Sequence, residues 1–250
     1  MVLKLWSHST SCRNVAAYRN SLLKQSSNNG GPLKPLRILV ADDHQLFRNG
    51  IRALIEAHAG WEICGEASTG REAVIKAQEL MPDIIILDIS MPDLNGVDAA
   101  RRIRTISKNT EILILSMHYS DQLIREIVDA GALGYVLKSD SDHDLVVAVE
   151  SLARHKPFFT SQASEVIPNG LNTGDPVMKI PELLDNRLTS REREILQLLA
   201  EGRSSKEVAV SLGISIKTAE THRANIMRKL DTHSISELVR YAVRNQIIEA

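Results

Sequence analysis

Between Leu36 and Lys156 short apolar runs alternate with stretches of helical spacing, and this alternation constrains the fold more than any other feature of the chain. The runs are LRILVADD (36–43), WEICGEA (61–67), DIIILD (83–88), EILILSM (111–117) and GYVLK (134–138). The segments between and after them, roughly 44–58, 70–80, 96–106, 120–130 and 141–154, carry apolar residues at helical intervals. Strands and helices in that order mean βαβ units and a parallel sheet. Five strands and five helices in about 120 residues predict a small doubly wound α/β domain over 36–156.

The flanking segments read differently. Residues 1–35 show no sustained period, cluster Ser, Asn and Gly at 26–31 and have no acidic residue, so a disordered arm is expected there. The arm has no apolar segment followed by a small-residue cleavage site. Residues 157–186 hold four of the eight prolines and predict a linker. In 187–250 the spacing S/T-x-x-E recurs at Thr189 and Glu192, Ser204 and Glu207, and Ser234 and Glu237, each ahead of a helical pattern. That segment predicts an all-α, four-helix domain.

Net charge separates the same blocks: +5 over 1–36, −6 over 37–156, −3 over 157–186 and +3 over 187–250, for −1 overall. An acidic module able to hold a cation is followed by a mildly basic one able to meet phosphates. No apolar run approaches the roughly 18 residues of a membrane helix. The two cysteines, Cys12 and Cys64, form no paired motif, so the cytoplasm is the expected compartment. The histidines show no zinc-ligand spacing and there is no GxxxxGK[ST] loop, which argues against a zinc site and an NTPase.

Four polar features fall at the carboxyl ends of predicted strands: Asp42 and Asp43, then Asp88, Ser116 and Lys138. Open α/β sheets bind ligands outside those ends. A lone Asp there is ordinarily a turn residue. Three carboxylates in one crevice repel each other, and a hard divalent cation, Mg²⁺, is the usual remedy. With an ammonium and a hydroxyl added, the set suits a carboxylate that accepts a phosphoryl group.

DD at 42–43, DISMPDLNG at 88–96, LSMH at 115–118 and GYVLK at 134–138 together resemble the flavodoxin-like receiver domain of two-component response regulators. The resemblance implies that Asp88 is phosphorylated by a sensor histidine kinase. It implies Mg²⁺ on Asp43, Asp88 and the backbone carbonyl of Ser90, with Asp42 acting through water. Ser116 would move toward the acyl phosphate, Lys138 would pair with it, and Tyr135 would be the aromatic whose rotation reports the switch. Ser139 stands where many receivers have a proline after a cis bond, so no cis bond is expected. Met117 is larger than the residue common after the switch hydroxyl and is expected to restrict access to the phosphoryl group.

Residues 205–224 read as helix, tight turn, helix: Ala209 is small at a crossing, Gly213 supplies a positive φ, Ser215 caps the second helix, and Val208, Leu212, Ile214 and Ala219 face a core. Ala219, Ile226 and Leu230 form the buried stripe of the second helix, leaving Lys217, Thr218, Glu220, Thr221, Ala224, Asn225 and Arg228 outward. The stretch from Leu188 to Leu230 resembles a LuxR-type helix-turn-helix, and the whole chain resembles the NarL/FixJ response regulators. The resemblance implies base contacts from Glu220, Thr221 and Ala224, with Lys217, Thr218, His222, Arg223 and Arg228 near phosphates of double-stranded DNA. Ile235, Leu238, Val239 and Ala242 would pack the domain or pair two copies, as a homodimer on two promoter half-sites requires.

The expected function is therefore transcription regulation switched by phosphorylation of Asp88, and not an enzyme activity. Two alternatives stand beside it. In one, the receiver is a phosphorylation-independent dimerisation device for a DNA-binding protein. In the other, the α/β domain is an aspartyl-phosphate phosphatase, which wants a second Asp two residues past the nucleophile, where Ser90 stands.

Overall fold

The structure, a computed structural model, describes residues 34–164, 166, 188–245, 247 and 248. The arm expected over 1–35 and the linker expected over 157–186 lie mostly outside the described residues.

The first part of the described chain is a parallel α/β sheet. Its elements are β1 (Leu36–Ala41), α1 (Gln45–Glu56), β2 (Trp61–Ala67), α2 (Gly70–Leu80), β3 (Ile84–Asp88), α3 (Gly96–Ile106), β4 (Glu111–Ser116), α4 (Asp121–Asp129), β5 (Gly134–Leu137) and α5 (Ser141–Leu152). A short 3₁₀ turn, Lys138–Asp140, joins β5 to α5. A two-residue strand, β6 (Phe158–Phe159), pairs parallel with β5 and is followed by a single turn, α6 (Ser161–Ser164). The strand order β2-β1-β3-β4-β5-β6 makes six strands where the sequence predicts five. The extra strand lies in the segment read as linker: two phenylalanines after Pro157 carry no periodicity, and long-range pairing with Gly134 and Tyr135 makes them a strand.

Alternate strand residues feed two layers. Leu39, Ala41, Ile85, Leu87, Ile112 and Ile114 pack under α2, α3 and α4 with Ala77, Ile103 and Ile127. Ile38, Val40, Ile84, Ile86, Leu113 and Leu115 pack under α1 and α5 with Ile55, Leu145 and Val149. β3 is buried at every residue, which explains its unbroken aliphatic run. The chain order reverses between β1 and β3, so their carboxyl ends open side by side onto one crevice.

The second part is helical: α7 (Ser190–Ala200), α8 (Ser205–Leu212), α9 (Ile216–Leu230) and α10 (Ile235–Arg244). Its core joins Ile195, Leu198, Leu199, Val208, Ala219, Ile226, Leu230, Leu238 and Ala242. Thr189 with Glu192 and Ser204 with Glu207 form reciprocal capping boxes at α7 and α8. At α10 the Ser234 hydroxyl caps the Glu237 amide, but the Glu237 carboxylate accepts from the amide of His233. Gly213, at φ +63°, turns α8 into α9. Among the described residues no peptide bond is cis and no helix is long and apolar enough to cross a membrane.

Candidate functional site

Asp42 and Asp43 leave the end of β1 and Asp88 ends β3, so the reversal of strand order brings them together. Ligand atoms of Asp42, Asp43, His44 and Asp88 all lie within 4.8 Å of one another. Asp42 is buried and fixed: its Oδ1 accepts from the His44 amide at 2.7 Å, and its carbonyl accepts from Arg48 Nη1 at 2.6 Å. Lys138, just past β5, sends its Nζ to 2.8 Å from Asp42 Oδ2 and 2.9 Å from Asp88 Oδ2. Neither oxygen faces any other donor among the described residues. The same ammonium sits 4.8 Å from the centroid of the Phe47 ring on α1, a contact that places a cation over an aromatic face. Sequence reading missed Phe47, whose position five residues past Asp42 looks like ordinary core.

Burial pushes the Asp88 carboxyl up to about 6; Asp42 and Asp43 push the same way and Lys138 opposes them. Burial also works against the Lys138 ammonium, but Asp88 and Asp42 outweigh it and hold its pKa above the ordinary lysine value. His44 is exposed, with Nδ1 2.8 Å from Asp43 Oδ1.

The loop after Asp88 returns tightly on itself. The Gly96 amide donates to Ile89 O at 2.8 Å, and the side chain of Asn95 caps α3 by accepting from the Asp98 amide. A Cβ on Gly96 would overlap the carbonyl of Asp88. Ile89 O and Met91 O each accept a hydrogen bond, whereas none reaches Ser90 O among the described residues. The Asp42, Asp43 and Asp88 carboxylates, with His44 beside them, make a cluster dominated by hard oxygen ligands of the kind a small divalent cation takes.

Ser116 and Tyr135 are turned to one neighbour. The Ser116 hydroxyl donates to His118 O at 2.7 Å, and the buried Tyr135 hydroxyl donates to the same oxygen at 3.0 Å. Burial pushes the Tyr135 hydroxyl up to about 12. Met117 is 59% exposed, so most of its side chain lies in solvent.

On α9, Lys217, Thr218, Glu220, Thr221, Ala224 and Arg228 are exposed, while Arg223 and Asn225 are half-buried. His222 is also half-buried, and its Nδ1 is enclosed without a hydrogen-bond partner. Three residues after Ala219 and four before Ile226, it stands on the inner stripe of the helix.

The sequence matches the family described as response regulator receiver domain over residues 38–150 and the bacterial regulatory proteins of the luxR family over 186–242. It is 35% identical over 214 residues to the transcriptional regulatory protein LiaR of Bacillus subtilis, covering 85% of this chain and 99% of that one. It is 34% identical over 214 residues to the response regulator protein VraR of Staphylococcus aureus, covering 86% and 99%. The chain is a two-component response regulator of the NarL/LuxR type. Solved structures of the RcsB response regulator of Salmonella typhimurium are similar: one aligns with a TM-score of 0.58 at 26% identity, covering 84% of this chain and 97% of that one. Another, RcsB of Salmonella enterica serovar Typhimurium bound to promoter rprA in the presence of phosphomimetic BeF₃⁻, aligns at 0.56 and 26%, covering 83% and 98%. These relatives are DNA-binding regulators, not enzymes.

In this response regulator the helical domain meets the receiver along α7 and the turn after it, and Arg244 and Asn245 at the end of α10 line a pocket with Ser120, Gln122, Leu123 and Glu126 of the receiver. Glu194, fully buried, pairs with Arg71 and Arg102 of the receiver and with Arg191 of its own helix. Arg193 pairs with Glu126 at 2.8 Å, and Arg203 pairs with Asp93. Gln197 and Glu201 reach the loop after Asp88. Sequence reading missed this face. Its trace is a row of polar residues at 194, 197 and 201, spaced for one side of α7 beside the apolar stripe of Ile195, Leu198 and Leu199.

Proposed function

We propose that the receiver spans 36–156 and continues through β6, that 187–250 is the DNA-binding domain, and that phosphorylation of Asp88 switches how the second binds DNA. The observation that carries this reading is the Lys138 ammonium bridging Asp42 and Asp88 where the strand order reverses.

A carboxylate oxygen of Asp88 attacks the phosphorus of a phosphohistidine on the sensor kinase; the P–O bond forms as the P–N bond breaks, and the departing imidazole takes up a proton. Asp43, Asp88 and the Ser90 carbonyl would hold Mg²⁺, with Asp42 acting through water, and the ion would supply positive charge against the carboxylates and the phosphoryl oxygens. Lys138 leaves Asp42 to pair with a phosphoryl oxygen. The Ser116 hydroxyl turns from His118 O to donate to another, which frees that carbonyl and releases Tyr135. Lys217, Thr218, Arg223 and Arg228, with His222, hold DNA phosphates, while Glu220, Thr221 and Ala224 face bases and Asn225 flanks them. The phosphorylated protein pairs as a homodimer on two half-sites, and the protein works in the cytoplasm, where a sensor kinase and DNA both reach it.

The test is selection of binding sites from an oligonucleotide pool by the purified chain and its Asp88→Asn variant, each with and without acetyl phosphate and Mg²⁺. A near-palindromic site enriched only with the phosphodonor, and lost in the variant, is the expected result. The exposure of α9 while α7 is docked favours one second reading, in which DNA binding does not depend on phosphorylation. Equal enrichment in all four arms would establish that reading instead.

A further inference from the structure

The loop between Asp88 and α3 is held by the receiver at its base and by the DNA-binding domain at its tip. At the base, the Ile89 amide donates to Leu115 O at 3.1 Å and Ile89 O accepts from Gly96. At the tip, one side chain of α7 grips the backbone at two points: Gln197 Nε2 donates to Met91 O at 2.9 Å, and Gln197 Oε1 accepts from the Asn95 amide at 2.8 Å. Gln197 is itself only 1% exposed, and its Nε2 also donates to Glu201 Oε1 at 2.8 Å. Glu201 in turn accepts from the Asp93 amide. Asp93 has a positive φ of 67°, a region that aspartate visits more readily than most non-glycine residues.

The carbonyl left open between these two anchorages is that of Ser90. Its neighbour on one side is tied to Gly96 and its neighbour on the other to Gln197. We propose that Gln197, a residue of the DNA-binding domain, is a positioning residue for the cation site of the receiver, holding the loop so that the Ser90 carbonyl stays available. The primary amide meets both demands at once, its Nε2 donating to Met91 O and its Oε1 accepting from the Asn95 amide. This rests on the reading of Asp43, Asp88 and Ser90 as a Mg²⁺ site. It makes docking of α7 and cation binding mutually supportive: whatever factor docking adds to Mg²⁺ affinity, Mg²⁺ adds to docking.

Mg²⁺ titration of the full chain by calorimetry, alongside hydrogen exchange of residues 89–95, tests the proposal. Gln197→Met keeps the volume and removes both hydrogen bonds to the loop together with the one to Glu201; it should weaken Mg²⁺ about three- to tenfold, the effect of one net hydrogen bond, and speed exchange at the Asn95 amide. Arg193→Ala removes the interdomain pair with Glu126 without touching the loop, and should leave Mg²⁺ affinity within about twofold. If Gln197→Met does not fold, Gln197→Glu, which keeps the acceptor and loses the donor, must show the same direction of change. Unchanged affinity in the Gln197 variant overturns the proposal, and so does an equal loss in the Gln197 and Arg193 variants. A parent chain that binds Mg²⁺ no better than Asp88→Asn overturns instead the site reading beneath it.

Discussion

Lys138 and Asp88 form a buried ion pair of 2.9 Å whose ammonium is shared with Asp42 at 2.8 Å. One cation therefore compensates two carboxylate oxygens, Asp42 Oδ2 and Asp88 Oδ2, that no other donor reaches among the described residues. Lys138→Met leaves them facing each other and should lower stability at pH 7.5 by about 3 kcal/mol, the usual result of stripping one partner from a buried pair. The loss should shrink at pH 4.5, where Asp88 takes up a proton. Urea denaturation at both pH values measures it, and equal losses at the two would contradict the account.

Asp88 itself is a stability liability at neutral pH. Its carboxyl is raised from 3.8 to about 6 in the folded protein, so the native state binds the proton more tightly than the unfolded chain does. Stability then falls as pH rises through that window and stays reduced above it. Asp88→Asn should be the more stable protein at pH 7.5 by up to about 3 kcal/mol, with the difference vanishing near pH 4. Denaturation midpoints across pH 4–8 check the sign; a variant less stable at pH 7.5 would refute it.

Gly96 has backbone where a side chain would be. Gly96→Ala forces a methyl group into the carbonyl of Asp88 and should cost about 3 kcal/mol, because the obstacle is main chain and cannot rotate away. Thermal melting reads the loss. A melting temperature within a degree of the parent would mean that the β3–α3 loop is softer than its hydrogen bonds imply.

Glu194 is the centre of the interdomain contact, with three arginines around one buried carboxylate. Glu194→Ala should separate the two domains and increase the radius of gyration in small-angle scattering. Scattering curves identical to the parent's would place the strength of the contact elsewhere on α7.

Lys217 is an exposed cation at the start of α9, the helix proposed to read DNA. Lys217→Ala should weaken DNA binding by a similar factor on every sequence and reduce the slope of log affinity against log salt by about one. Loss confined to one base position would make Lys217 a base reader.

How much of this was legible beforehand follows the range of the forces involved. β3 announces itself because burial on both faces demands an unbroken IIILD, and Asp88 and Lys138 are visible because an acidic pair, a single Asp, a hydroxyl and a lysine fall together at the ends of four apolar strands. The caps at Thr189 and Ser204 are local and read correctly, whereas the carboxylate of Glu237 moved one residue, to His233, a choice set by side-chain conformation rather than spacing. β6 escaped because two phenylalanines become a strand only when β5 offers an edge. Phe47, Glu194 and Gln197 escaped for the same reason: each gets its role from an element distant in the chain. The resemblance puts His222 near DNA phosphates, whereas its place between Ala219 and Ile226 leaves it half-buried.

The helical domain docks on the receiver largely through α7, and the face proposed to meet DNA is the exposed side of α9. Two vocabularies are thus written on separate helices of one small domain. Substitutions that retarget the protein to a new operator can accumulate on α9 without disturbing its conversation with the receiver, and the wiring through Glu194 and Gln197 can be retuned without changing which genes are addressed.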